Sequence, residues 1–314
     1  MAGPKSELRR RIERPLMRWV GQALAALCRA LPIRSTQRIG DFWGWVAFVT
    51  VPKRQRLADR NLALCFGDRL TPAERKRIRY FATCGLFKTM LELFRLPAMT
   101  ERDFEEVLSF ENPEVIAEAL ALGKGAIIIT AHYGNWELMA ASLARLGLDL
   151  HVVARDSHDP QTAQLINESR ESVGMTVIER DDVRAMMRVI RSGGVLGILP
   201  DQRAKKGGVW LDFMGRLAST FTGPATFAIR TGMPVIPCFG RRTDDDRIIV
   251  TAHEPLEMPD TGDREADIIA GTQLVNDVLG REIMKRPAQW LWLHDRWQEP
   301  PADVAREWAE REKS

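Results

Sequence analysis

The sequence predicts an α/β fold, a mostly parallel sheet covered by helices, preceded by an amino-terminal membrane-associating helical arm. Three observations carry this. From Asn112 onward, short apolar runs alternate with helix-like stretches at the intervals of βαβ units with right-handed crossovers. The run Ala126 to Ala131 has the short, β-branched character of a buried strand. Residues 1–60 hold 13 Lys and Arg against 4 Asp and Glu, a net +9 in a chain whose total is only +3, which leaves the remainder at −6. The expected divisions are a basic amphipathic arm at 1–60, an α/β domain at 61–298 and a charged tail at 299–314, with disorder expected in the first dozen residues and after Glu299.

The arm sets its arginines beside Trp19, Phe42, Trp43 and Trp45, a composition suited to an anionic membrane face. Neither apolar stretch gives the roughly 20 residues needed to cross a bilayer core. Leu16 to Leu31 is broken by Arg18, Gln22 and Arg29 and closed by Pro32, and Phe42 to Val51 is short. Interfacial helices are therefore expected, the competing reading being two amphipathic helices packed on a soluble domain. A cleavable signal peptide is not expected, because arginine interrupts the apolar stretch and no small-residue cleavage site follows.

Leu70 to Leu96 reads as one or two helices, opened by Thr71-Pro72-Ala73-Glu74 with a cap, a first-position proline and a first-turn acid. Asn112-Pro113 opens a helix ending near Gly123, the Ala126 strand follows, and Trp136 to Leu146 is helical until Gly147. The alternation continues through a strand at His151 to Arg155, a helix from Asp159-Pro160 to Gly174, a strand at Met175 to Glu179, a helix at Asp182 to Ser192 and a strand at Val195 to Leu199. Further strands are expected at Val209 to Phe213, Val235 to Phe239 and Ile248 to His253, a helix opening at Thr222-Gly223-Pro224, and a long helix from Asp263 to Lys285.

Cys28, Cys65, Cys84 and Cys238 show neither paired nor metal-ligand spacing, so reduced thiols in a cytoplasmic compartment are expected, with no metal and no cofactor. Nucleic acid is not an expected partner.

The strand Ala126 to Ala131 runs directly into His132, with Gly134-Asn135 supplying a turn and a helix cap and Glu137 in the first helical turn. On one regular helix His132 and Glu137 would lie roughly 140° apart, but the turn lets the carboxylate fold back toward the imidazole. A carboxylate on one ring nitrogen fixes the tautomer and leaves the other nitrogen to take a proton, which makes His132 a candidate general base and Glu137 its orienting partner. The plain alternative is a histidine satisfying a core or cap contact. Ligands in open α/β sheets bind beyond the carboxyl ends of the strands, where His132 sits.

The stretch Thr130-Ala131-His132-Tyr133-Gly134-Asn135-Trp136-Glu137 resembles the first motif of the lysophospholipid acyltransferase superfamily, and within it the bacterial lipid A late acyltransferase (lauroyl or myristoyl) branch. Pro200-Asp201-Gln202, Gly207-Gly208-Val209, Phe213-Met214-Gly215-Arg216, Thr222-Gly223-Pro224-Ala225, Pro234-Val235-Ile236-Pro237 and Pro287 to Trp297 resemble that branch in order. The resemblance covers residues 15 to 298. It implies transfer of a fatty acyl chain from acyl carrier protein, or acyl-CoA, to a hydroxyl of a glycolipid acceptor such as a lipid A precursor. It places the enzyme at the cytoplasmic face of the bacterial inner membrane, in lipopolysaccharide synthesis. A phosphatidylinositol mannoside or lysophospholipid acceptor is the alternative, and the absence of a Phe-Pro-Glu-Gly motif weighs against the latter. A thioesterase or a non-catalytic lipid-binding protein are competing classes.

The resemblance also assigns roles. Arg155 becomes a candidate anion or oxyanion contact, against a surface ion pair, and Asp201, with Gln202 beside it, a supporting or acceptor-binding residue, against a loop cap. The basic stretch Arg203, Lys205, Lys206 and Arg216 is read as a site for lipid phosphate, pantetheine phosphate or the acidic surface of a carrier protein, against a solvated loop. Acyl transfer needs a base and oxyanion donors. No Gly-x-Ser-x-Gly elbow and no cysteine in an electropositive turn offers a nucleophile, so direct attack by the acceptor hydroxyl is expected. Trp290, Trp292 and Trp297 are read as buried structure first and a membrane belt second, and His294 as structural.

Overall fold

The computed structural model describes residues 21–154, 159–205 and 207–311. Trp19 and the rest of the first 20 residues, Arg155 and Lys206 lie outside them.

The chain begins with α1 (residues 21–30), α2 (Ile33–Thr50), α3 (Pro52–Phe66) and α4 (Pro72–Arg95). Thr71 and Glu74 form a reciprocal capping box at the start of α4, as the sequence indicated. The buried stripe of α2 is Ile33, Thr36, Gln37, Gly40 and Gly44, at helical spacing. Its glycines fit the helix against α4, since a Cβ at Gly44 would lie 2.5 Å from the Cys84 Cα. The boundary expected at residue 60 falls within α3, where Asn61 Nδ2 donates to the carbonyls of Trp292 and His294. No helix among the described residues is long and apolar enough to cross a membrane.

Then follow α5 (Glu101–Val107), β1 (Leu108–Glu111), α6 (Glu114–Ala121), β2 (Ala126–Ile129), α7 (Trp136–Arg145), β3 (Leu150–Ala154), α8 (Pro160–Glu171), β4 (Thr176–Glu179), α9 (Val183–Arg191) and β5 (Val195–Ile198). The hairpin β6 (Val209–Asp212) and β7 (Leu217–Thr220) comes next, then α10 (Gly223–Thr231), β8 (Val235–Arg242), β9 (Ile248–Ala252), α11 (Arg264–Lys285) and α12 (Ala302–Arg311). The main sheet has the order β1-β9-β8-β2-β5-β3-β4 and every pairing is parallel except β8 with β9.

Strands β1 and β7 were not foreseen, being four residues each and lacking a β-branched run. The tail expected to be disordered after Glu299 instead holds α12. Its Asp303, Arg306 and Glu310 bring opposite charges to helical i, i+3 and i, i+4 spacing.

Strand alternation divides the core. Ile127, Ile129 and Ala131 face a cluster with α9, α10, α11 and the carboxyl-terminal tryptophans, whereas Ala126 and Ile128 face α7 and Leu93 in the last turn of α4. The three isoleucines of β2 are at most 1 % exposed, and burying each contributes roughly 1.5–3 kcal/mol. That anchors the strand whose carboxyl end carries His132.

Candidate active site

Parallel pairing of β2 with β5 sets the site. The register matches Ala126 with Val195 and Ile129 with Ile198, and the Thr130 amide continues it by donating to the Ile198 carbonyl at 3.1 Å. Three residues beyond each strand, His132 and Asp201 therefore face one another. His132 Nδ1 lies 2.8 Å from Asp201 Oδ1, and the His132 backbone N–H donates to Oδ2 at 2.9 Å. The Trp290 indole N–H donates to the same Oδ2 at 2.8 Å. With Nδ1–H committed to a carboxylate, Nε2 carries the lone pair, and the Gln202 amide nitrogen stands 3.2 Å from it.

The turn after His132 is clamped from three sides. Gly134 has φ +57, and a Cβ there would lie 1.9 Å from the Gly240 carbonyl, so only glycine fits. Its N–H donates to the Gln289 carbonyl, and the Gly134 carbonyl accepts from Thr89 Oγ1. Asn135 Oδ1 caps α7 by accepting from the Leu138 N–H, while its Nδ2 donates to Glu92 Oε2. Glu92 is fully buried and ion-paired with Arg242. The His132 carbonyl accepts from the Leu291 N–H at 3.1 Å, which ties the loop to the tryptophan-rich segment.

Glu137 does not meet the imidazole as expected. Its carboxylate takes a two-point contact from Arg170, Nη2 to Oε1 at 2.7 Å and Nε to Oε2 at 3.0 Å, and a third bond from the Trp136 indole at 3.0 Å. The fork of a guanidinium satisfies a buried carboxylate better than a neutral imidazole can, and the β2–β5 register has already supplied His132 with Asp201. The Trp136 ring connects the two groups, edge-on to His132 at 5.0 Å.

Both carboxylates are buried, Asp201 1 % and Glu137 3 % exposed. Burial pushes the Asp201 carboxyl up, but the His132 charge and hydrogen bonds and the Trp290 N–H outweigh it and hold the group below the usual carboxylate range. Burial is likewise overcome at Glu137, chiefly by Arg170 and then by Trp136 and His132. Both stay ionised at neutral pH. His294 is neutral, its imidazole pushed down to about 4 by burial, and its Nε2 accepts from the Arg203 N–H at 3.3 Å.

A cavity of about 870 Å³ opens beside His132 and runs between α7, α8 and the sheet. Its inner wall is apolar, built from Ile128, Met139, Leu143, Leu150, Val152 and Ile166. Its polar wall includes His132, Glu137, Gln202, Arg203, Lys205 and His294. The Arg203 Nε is buried and has no hydrogen-bond partner among the described residues. Arg216 stands apart from this wall, exposed on the β6–β7 turn, with its Nε donating to the Leu64 carbonyl. Arg155 and Lys206 lie outside the described residues.

The four cysteines are free and buried. Burial pushes the Cys65 and Cys238 thiols up to about 12, which makes them poor nucleophiles. Trp290, Trp292 and Trp297 are buried against Phe213 and one another, so their aromatic surface belongs to the core rather than to a membrane belt. No cluster of metal ligands occurs among the described residues.

Comparison with known sequences gives this geometry its context. A lipid A biosynthesis lauroyltransferase of Escherichia coli (strain K12) is 26% identical over 292 residues, covering 91% of this chain and 92% of the relative. A lipid A biosynthesis acyltransferase of Haemophilus influenzae is 23% identical over 293 residues, covering 90% of each. A phosphatidylinositol mannoside acyltransferase of Mycolicibacterium smegmatis is 26% identical over 211 residues, covering 66% of this chain and 67% of the relative. The sequence profile of the bacterial lipid A biosynthesis acyltransferases matches residues 4–299, and the chain belongs to that family.

Proposed function

We propose that this acyltransferase moves a fatty acyl chain from a thioester of acyl carrier protein, or of CoA, to a hydroxyl of a glycolipid, a lipid A precursor, at the cytoplasmic face of the inner membrane. The observation that carries the mechanism is the His132–Asp201 pair on the cavity wall, which leaves Nε2, with only the neutral Gln202 amide 3.2 Å away, to take a proton. Nε2 takes the proton of the acceptor hydroxyl as its oxygen bonds to the thioester carbon. The carbonyl electrons move onto oxygen, and Gln202 and Arg203 supply donors to that oxyanion. Collapse breaks the C–S bond, and the thiolate leaves with the proton from His132. Asp201 stays a carboxylate throughout and stabilises the imidazolium. The apolar wall holds the acyl chain, while Lys205, exposed at the cavity's polar wall, is placed to meet phosphate.

A lipid A precursor is favoured over a phosphatidylinositol mannoside because the lauroyltransferase match spans nearly the whole chain and the mannoside enzyme two thirds of it. The test is turnover of acyl carrier protein and CoA thioesters by the purified full chain with each acceptor, read by mass spectrometry. Replacement of His132 by Ala should cut turnover by about 10² to 10⁴. Free fatty acid at the same rate with and without acceptor would make the protein a thioesterase.

A further inference from the structure

The outer face of α2 carries a surface that the acyl-transfer chemistry does not use. Phe42, Trp45 and Val49 are 54, 49 and 53 % exposed. With Arg38 they lie about 140–200° round the helix from Gly40, the middle of its buried stripe. Trp43, 45 % exposed, flanks them and sets its ring edge-on to Phe42 at 5.4 Å. Large exposed aromatics clustered at this density mark an interaction surface.

Charge identifies the occupant. Arg38, one helical turn before Phe42, and Lys53 and Arg56, just beyond Val51, are exposed and have no carboxylate partner among the described residues. Aromatic rings bordered by unpaired cations fit an interface of acyl chains and anionic headgroups, with the rings at headgroup depth and the cations on the phosphates. The patch also leads to the cavity. Arg54, in the first turn of α3, donates from Nη1 to the Leu293 carbonyl at 3.4 Å, and the neighbouring His294 lines the cavity.

We propose that this face, Phe42, Trp43, Trp45 and Val49 with Arg38, Lys53 and Arg56 around it, is the bilayer-docking surface, seated on anionic lipid so that the cavity mouth opens at the headgroups. It deepens the membrane assignment made above and rests on it, but not on the identity of the acyl donor or acceptor. The full chain should float with phosphatidylglycerol-containing vesicles, and its tryptophan fluorescence should be quenched by brominated lipid. The triple variant Phe42→Ser, Trp43→Ser, Trp45→Ser alters exposed residues, so its Tm should be retained while vesicle affinity falls at least tenfold. Arg38→Gln with Lys53→Gln and Arg56→Gln should lose affinity for anionic vesicles and leave that for zwitterionic ones unchanged. Transfer to a dispersed, short-chain acceptor should persist in both, which separates failed docking from failed catalysis. Vesicle binding by the aromatic variant equal to the parent's would overturn the assignment, as would a parent dimer that these substitutions dissociate.

Discussion

His132 and Asp201 are separated by 69 residues, the same offset that relates Ala126 to Val195 and Ile129 to Ile198 across the β2–β5 pairing. The hydrogen-bonded pair is the continuation of the sheet register past the strand ends. Two rigid parallel strands therefore bring base and carboxylate to 2.8 Å, and the clamped turn after His132 and the Trp290 indole on Asp201 hold them there.

That geometry makes Asp201→Asn informative. Oδ2 accepts two bonds, from the His132 backbone N–H and the Trp290 indole, so the asparagine oxygen will occupy that position. Its NH₂ then faces Nδ1 and forces the ring to accept there, moving the proton to Nε2, where the base is needed. Turnover should fall by about 10² to 10⁴, as for other histidine bases held in the wrong tautomer, with donor KM little changed. Combined with His132→Ala the loss should not add, because the two residues act as one unit. Additive losses would separate Asp201 from the base.

Glu137→Gln should behave differently. It leaves Arg170 buried beside a neutral amide, and breaking a buried ion pair from one side costs roughly 3–5 kcal/mol. Tm should therefore drop along with turnover, and Arg170→Met in the same chain should recover part of the stability. A Glu137→Gln protein with parental Tm and lost activity would restore a direct role for this carboxylate at His132.

The order of strands and helices was legible because a parallel sheet writes itself as β-branched runs separated by capped helices. Thr71, Asp159 and Asp182 all cap where their residue types suggested. His132 was legible for the same reason, standing just past the Ala126 run. Its partner was not. Spacing along the chain pointed to Glu137, whereas the partner is fixed by which strand pairs with β2, and that pairing is set by non-local packing. Arg170 gave no signal, being one of many arginines on an amphipathic helix, and neither did the Trp290 indole, which reaches Asp201 through the fold of the carboxyl-terminal segment.

His294 gives a pH dependence of known sign. Its folded-state imidazole is pushed down to about 4 from an ordinary 6.5, by burial first. Between those values the unfolded chain binds the extra proton and the folded one does not, so this contribution to stability is complete above 6.5 and lost as the pH falls toward 4. Thermal unfolding should shift downward through that window, and His294→Gln, which keeps an acceptor for the Arg203 N–H, should make the shift shallower. An unchanged profile in the variant would mean that His294 titrates normally in the folded chain.

The last prediction concerns the length of the transferred chain. Gly197, on β5, lines the apolar wall opposite α7, and a Cβ there would meet Val152 Cγ1 at 3.4 Å and Leu150 Cδ1 at 3.5 Å, ordinary contacts that the fold can accept. Gly197→Val suits a strand and places its two methyl groups in the wall of the cavity, shortening the space available beyond Ile128. Each methylene denied burial loses about 0.8 kcal/mol, roughly fourfold in binding. The variant should therefore lose kcat/KM steeply for a long acyl donor while retaining it for one several carbons shorter, with Tm near the parent's. Competition between two donors of different length, read by mass spectrometry of the product, measures the ratio directly. Equal losses for both lengths would show that the chain does not run along Gly197 and would move the acyl site out of this part of the cavity.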